Sequence, residues 1–261
     1  MNYQTLDVKN EGRVVTVTLN RPEVRNAFNE TTIAEITQVF TTLGQDDDVR
    51  AIVLAANGPA FCAGADLHWM KKMAGFTHEE NRADAARLAE MLRSVYACPK
   101  PVVAKIQGDC YAGGMGLAAA CDIAIAAETV QFCLSEVKLG LMPATISPYV
   151  IKAMSENAAR RYFLTAERFC AREAHRIGFI HTVTAAGELD AAVAGVVKAL
   201  TSNSPNAVKE TKRLVQDVAG APLTAELIAD TAVRIASIRS SDEGREGVRA
   251  FLEKSKPSWL S

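Results

Sequence analysis

Two short loops carry the residue types in this sequence best suited to chemistry. Phe61-Cys62-Ala63-Gly64-Ala65-Asp66 follows one apolar run, and Tyr111-Ala112-Gly113-Gly114-Met115-Gly116 follows another. Side chains this small leave backbone N–H groups open to a ligand, and a helix starting behind the second loop adds positive potential at its N-terminus. Two such donors converging on one oxygen make an oxyanion hole, where loss of one donor costs roughly 10²–10³ in rate. The same composition also suits tight turns that merely need glycine, and composition alone leaves both readings open.

Other familiar chemistries are missing. The sequence has no G-x-S-x-G elbow, no G-x-x-x-x-G-K-[ST] phosphate loop and no G-x-G-x-x-G after a strand. His78-Glu79-Glu80 lacks the histidine four places on that a zinc-protease helix requires, because position 82 is Arg. His68, His175 and His181 are scattered, and no metal is expected.

The loops need rigid elements behind them. RVVTVTL (13–19) alternates Val15, Val17 and Leu19 on one face, as a half-buried strand does. Ile33, Ile36, Val39, Phe40 and Leu43 then recur at helical spacing behind Asn29, an expected N-cap. AIVLAA (51–56) reads as a buried strand before the first loop, whose long continuation to Phe76 shows no clear period. Thr77 and Glu80 suit a capping box opening a helix whose Leu88, Met91, Leu92 and Val95 share a face, ended by Pro99 and Pro101.

PVVAKIQG (101–108) predicts the next buried strand, followed by the second loop, a helix over 113–121 and the strands DIAIAA and TVQFCL. Nearly all-apolar strands alternating with helices imply an α/β arrangement with mainly parallel pairing. From about residue 147 the pattern is mostly helical, starting with ISPYVIKAM and AARRYFLTA and interrupted by FIHTVT as a last strand. The expected organisation is a core over 1–200 and a helical appendage over 201–261.

With 261 residues, 49% of them hydrophobic, the chain can bury a large core. Its 29 basic and 30 acidic residues are interspersed and sum to −1, which supplies no broad basic field for nucleic acid. Six cysteines without a C-x-x-C pair suit reduced, mostly buried thiols of a cytoplasmic protein. Neither a presequence nor a run of ~20 apolar residues is visible, so no membrane association is expected.

FCAGADLHWM and GDCYAGGMGLAAACDIAIAAE, with NRPEVRNAFN upstream and QFCLSEVKLGLMP downstream, resemble the crotonase, or enoyl-CoA hydratase/isomerase, family. The resemblance runs along essentially the whole chain. It implies a spiral of ββα turns followed by a helical trimerisation region, assembled as a homotrimer or a dimer of trimers. It also implies acyl-CoA thioesters as substrates, with the thioester oxygen between the N–H groups of Ala65 and Gly113, and no metal or cofactor beyond the CoA of the substrate. By the same likeness, Arg25 is a candidate for the CoA phosphates, Ala63, Asp66 and Leu67 for the pantetheine and thioester, and Phe251 and Lys254 for the CoA of a neighbouring subunit. Solvated surface charge remains the plain alternative for Arg25 and Lys254.

Hydratases of that family carry two glutamates. One matches Glu136 in CLSEVKLG; the other aligns with Gly116 and is missing. A carboxylate beside a desolvated thioester can have its pKa raised into the range of a general acid/base. A single glutamate leaves two reactions: hydration of a 2-enoyl-CoA by one group acting twice, or transfer of a proton between C2 and C4 in a 3-enoyl-CoA isomerase. AGADLHWMKKMA and SEVKLGLMPATISPYVIKA resemble the hydratase subgroup acting on branched 3-methylglutaconyl-CoA or carboxygeranoyl-CoA, which favours hydration of a short or branched substrate. His68, Lys71 and Lys72 are candidates for meeting a second carboxylate on such a substrate. A non-catalytic acyl-CoA-binding scaffold is the reading of another class.

Overall fold

The computed structural model describes residues 3–260 and shows a chain that lays one strand in a large sheet and the next in a small one before a helix returns it. β1 (Leu6–Glu11) and β2 (Val14–Leu19) form an antiparallel pair, and α1 (Glu30–Gln45) follows with Asn29 accepting the Thr32 N–H at 2.9 Å. Three ββα turns come next. The first holds β3 (Ala51–Ala56), β4 (Ala60–Cys62), α2 (Leu67–Met73) and α3 (His78–Tyr96), and the second β5 (Val102–Ile106), β6 (Asp109–Tyr111) and α4 (Gly113–Ala120). The third is β7 (Ile123–Ala127), β8 (Gln131–Cys133) and α5 (Ser147–Thr165).

After these come β9 (Phe169–Cys170), α6 (Ala171–Arg176), β10 (Thr182–Thr184), α7 (Leu189–Thr201), α8 (Pro205–Val218), α9 (Ala225–Ser240) and α10 (Asp242–Glu253). The large sheet runs β1-β2-β3-β5-β7-β10, parallel except for β1, and the small one runs β4-β6-β8-β9, parallel except for β9. This is the expected α/β spiral. Each loop of interest leaves a strand of the small sheet, so parallel pairing of β4 with β6 and of β6 with β8 gathers the three strand ends at one edge.

Burial explains the elements. Val15, Val17 and Leu19 are buried while their neighbours in β2 are half-exposed, and β3 and β5 are buried almost throughout, as strands covered on both faces require. The Thr77/Glu80 capping box opens α3 with both reciprocal bonds present. β1 was not among the expected strands, and its pattern shows why. Only Leu6 is buried in LDVKNE, and charged side chains guard an edge that no core face marks. ISPYVIKAM and AARRYFLTA are two halves of α5, broken at Ser155 (φ 72, ψ 158).

α8 is fastened to the core through Lys212, which is half-buried and donates to the Asp122 carboxylate at 2.7 Å and to the Lys100 carbonyl at 3.1 Å. α9 and α10 leave Ile228, Val233, Val248, Phe251 and Leu252 exposed. Five of the six cysteines are buried, and all six are unpaired thiols. Among the described residues no helix is long and apolar enough to cross a membrane, and no group of three His, Cys, Asp or Glu side chains could hold a metal ion.

Candidate active site

The loop after β4 is knitted to segment 25–28 through its backbone. Ala63 donates to the Arg25 carbonyl at 3.0 Å, Phe28 donates to the Gly64 carbonyl at 2.7 Å, and Asp66 donates to the Phe28 carbonyl at 2.8 Å. The Gly64 N–H is taken by Cys62 Sγ at 3.4 Å. Of the four N–H groups from 63 to 66, that of Ala65 has no acceptor among the described residues.

Asp66 pins this arrangement. One carboxylate oxygen caps α2 by accepting the N–H groups of His68 (2.8 Å) and Trp69 (3.4 Å), and the other pairs with Arg21 at 2.8 Å. Arg21 also donates to the Ala27 carbonyl at 2.8 Å. Burial alone would push the Asp66 carboxyl up, yet Arg21 and the two N–H donors together hold it below its ordinary value. Among the sequence-derived candidates for lining the thioester, Asp66 therefore has a carboxylate committed to shaping the loop.

The second loop is held by strain and close packing. Ala112 donates to the Cys133 carbonyl at 2.8 Å and adopts φ 48, ψ −119, a conformation that costs a non-glycine residue roughly 1–3 kcal/mol. That turn starts α4 with the N–H of Gly113 unaccepted among the described residues. Gly64, at φ 95, lets the first loop meet the second. A Cβ there would lie 3.0 Å from Ala112 Cβ and 3.8 Å from the Gly113 nitrogen. The loops thus touch beside their two open donors.

Glu136 stands three residues beyond the carbonyl that holds Ala112, at the head of a 3₁₀ turn (Glu136–Leu139) closed by Gly140 in the left-handed region. Its Oε2 is buried and has no hydrogen-bond partner. Burial pushes this carboxyl above its ordinary value, and its own backbone N–H offsets only part of the rise. At Gly116, one turn into α4, a Cβ would fall 2.2 Å from Ile146 Cγ2, so no side chain fits there without displacing Ile146.

The remaining candidates lie further out. Arg25 sits at φ 54 with an exposed side chain, one residue from the buried Asn26 that ties this turn to the Asn57 and Ala60 carbonyls. Leu67 is 81% exposed at the head of α2. His68 and Lys71 are exposed, whereas Lys72 pairs with Glu30. Phe251 and Lys254 are at the end of α10, which packs on α8 and α9 in this chain. A cavity of ≈ 890 Å³ lies between the core and α8, lined by Tyr96, Asp122, Lys152 and Lys212 among others, and no residue of either loop lines it.

Sequence reasoning missed Arg21, Phe28 and Ile146. Arg21 stands in the quoted NRPEVRNAFN run, but only the fold shows that it meets Asp66 across 45 residues.

Two open backbone donors at touching loops, one of them the first N–H of a helix, and beyond the next strand a carboxyl with one buried, unpartnered oxygen are the elements that an oxyanion-hole site with one acid/base group requires. The pattern of the enoyl-CoA hydratase/isomerase family matches residues 9–261, and the chain belongs to that family. An enoyl-CoA hydratase structure from Shewanella pealeana is similar over 98% of this chain and 96% of its own, with 43% identity and a TM-score of 0.95. The short-chain-enoyl-CoA hydratase of Clostridium acetobutylicum is 30% identical over 98% of this chain and 97% of its own length. The mevalonyl-coenzyme A hydratase of Aspergillus fumigatus is 31% identical over 94% and 91%.

Proposed function

We propose that this protein hydrates a short or branched 2-enoyl-CoA to the 3-hydroxyacyl-CoA. The observation that carries the reading is the buried, unpartnered Glu136 Oε2, three residues past the Cys133 carbonyl that holds the second loop, in a chain whose two touching loops leave the N–H groups of Ala65 and Gly113 without acceptors among the described residues. The thioester oxygen accepts from both N–H groups. Glu136 takes a proton from water as the water oxygen bonds to C3, the C2=C3 electron pair moves into the thioester enolate, and Glu136 returns the proton to C2 as the enolate collapses. Atoms balance with water as the only co-reactant, and the chemistry asks for no metal or redox cofactor.

The names of the relatives support hydration and span more than one acyl group, short-chain enoyl and mevalonyl. The sequence likeness to the 3-methylglutaconyl-CoA subgroup favours a branched chain. Arg25 is assigned to the CoA phosphates, Ala63 and Leu67 to the pantetheine. Phe251 and Lys254 reach the CoA of a neighbouring copy in a homotrimer or hexamer, a role that their exposure and the apolar patches of α9 and α10 support. Unpaired thiols support a cytoplasmic setting.

One observation favours a second reading. Ile146 leaves no room for a carboxylate at 116, and a single base suffices to move a proton between C2 and C4 of a 3-enoyl-CoA. A panel of saturated, 2-enoyl, 3-enoyl and 3-methylglutaconyl thioesters, read by product mass and double-bond position, separates the readings. Gain of one water by the 2-enoyl substrates supports hydration, and a shifted double bond without mass change supports isomerisation. Binding without product over hours sinks both in favour of an acyl-CoA-binding scaffold.

A further inference from the structure

Ile146 occupies the place that a side chain at position 116 needs. Its Cγ2 lies 2.2 Å and its Cβ 2.6 Å from where a Cβ on Gly116 would sit, and the residue is 2% exposed. Cα–Cβ bonds in a helix lean toward its N-terminus, so that place overlies the first turn of α4. Residues three apart share a helix face, and Gly116 stands about 4.5 Å along the axis from Gly113. In an enoyl thioester held by its oxygen at the Gly113 N–H, C3 is two bonds beyond the thioester carbon, a reach that matches one turn of the helix.

We propose that Ile146 is a specificity-determining residue, whose β-branch sets an apolar wall against C3 of the acyl chain and selects 2-enoyl thioesters that carry a methyl branch at that carbon. The proposal rests on the hydratase reading above. A carboxylate at 116 would have to be desolvated by such a methyl, at a cost an isoleucine does not impose. The wall is also fixed. Ile146 precedes α5, its carbonyl accepts the N–H groups of Tyr149 and Val150 at 3.1 Å, and a β-branched side chain has little freedom about χ1. Gly116 and Ile146 thus act as one unit, the glycine making the space that the isoleucine fills.

The test compares wild type with Ile146→Ala for hydration of crotonyl-CoA and of 3-methylcrotonyl-CoA, which differ by one methyl at C3. The ratio of kcat/KM, branched over unbranched, should fall about tenfold or more in the variant, mainly through KM of the branched substrate, because one well-packed methyl is worth roughly 10–200-fold. A ratio that moves less than about twofold, by the same scale, overturns the proposal. If Ile146→Ala does not melt cooperatively, Ile146→Leu removes the β-branch at equal volume, and Gly116→Ala pushes on the same contact from the helix side. Calorimetric binding of 3-methylbutanoyl-CoA against butanoyl-CoA separates this inference from the hydratase reading. If wild type hydrates neither substrate while the binding preference still falls in the variant, the reaction assignment fails and Ile146 keeps its role. An unchanged binding preference overturns the role of Ile146 whatever the activity.

Discussion

Asp66 heads α2 with both carboxylate oxygens engaged, one by two N–H groups and the other by Arg21, and its carboxyl is held below its ordinary value. Glu136 heads a turn after β8 with one oxygen buried and unpartnered, and its carboxyl is pushed above its ordinary value. Both are acids at loop ends along one sheet edge. The difference teaches that burial alone does not mark chemistry: where partners outweigh desolvation the carboxylate is scaffold, and where desolvation wins it is free to exchange a proton.

The largest effect that sharpens this contrast is at Glu136. Glu136→Gln should lower kcat/KM with a 2-enoyl-CoA by roughly 10²–10⁴, the usual weight of a general acid/base. The same change should raise stability. The folded carboxyl binds its proton more tightly than the unfolded one, so stability falls as pH climbs from the ordinary value through the raised one, and the neutral amide escapes that loss. A gain of about 1 kcal/mol corresponds to roughly 2–4 °C in a chain of this size. Activity loss with an unchanged or lower melting point would break the contrast.

At Asp66 the opposite holds. Asp66→Asn should cost about 2–4 kcal/mol by denaturant unfolding, because it leaves Arg21 without its partner and weakens the α2 cap. The Asp66 contribution is complete above the ordinary carboxylate value and disappears as pH falls through its lowered one, so the gap between wild type and variant should close in acid. Gly64→Ala is smaller in stability, about 1–3 kcal/mol from its positive φ, and should slow turnover by about 10–100-fold as the loops part at Ala112. Smallest is Lys72→Ala, which breaks an exposed pair with Glu30 and should change stability by less than about 0.5 kcal/mol.

Much of this was legible in the residues. Period-two burial in RVVTVTL, the Thr77-x-x-Glu80 box and the small-residue loops each have a local physical cause, so they can be read from a window of sequence. What stayed hidden is long-range. The Arg21–Asp66 pair spans 45 residues, and the fit of Ile146 over Gly116 is a packing fact with no periodic trace. The missing glutamate at 116 was visible, but the reason no side chain fits there was not. The family likeness puts Asp66 beside the thioester, and no window of sequence shows that its carboxylate is engaged by α2 and Arg21.

The pH dependence of kcat/KM for hydration of crotonyl-CoA tests the central claim most directly, since it reports the free enzyme's essential base. Activity should be flat above one ionisation and fall tenfold per unit below it, with that ionisation above the ordinary glutamate value of about 4.3, and the residual activity of Glu136→Gln should lack this limb. A limb at or below the ordinary value, or one that persists in Glu136→Gln, would contradict the assignment of proton transfer to Glu136.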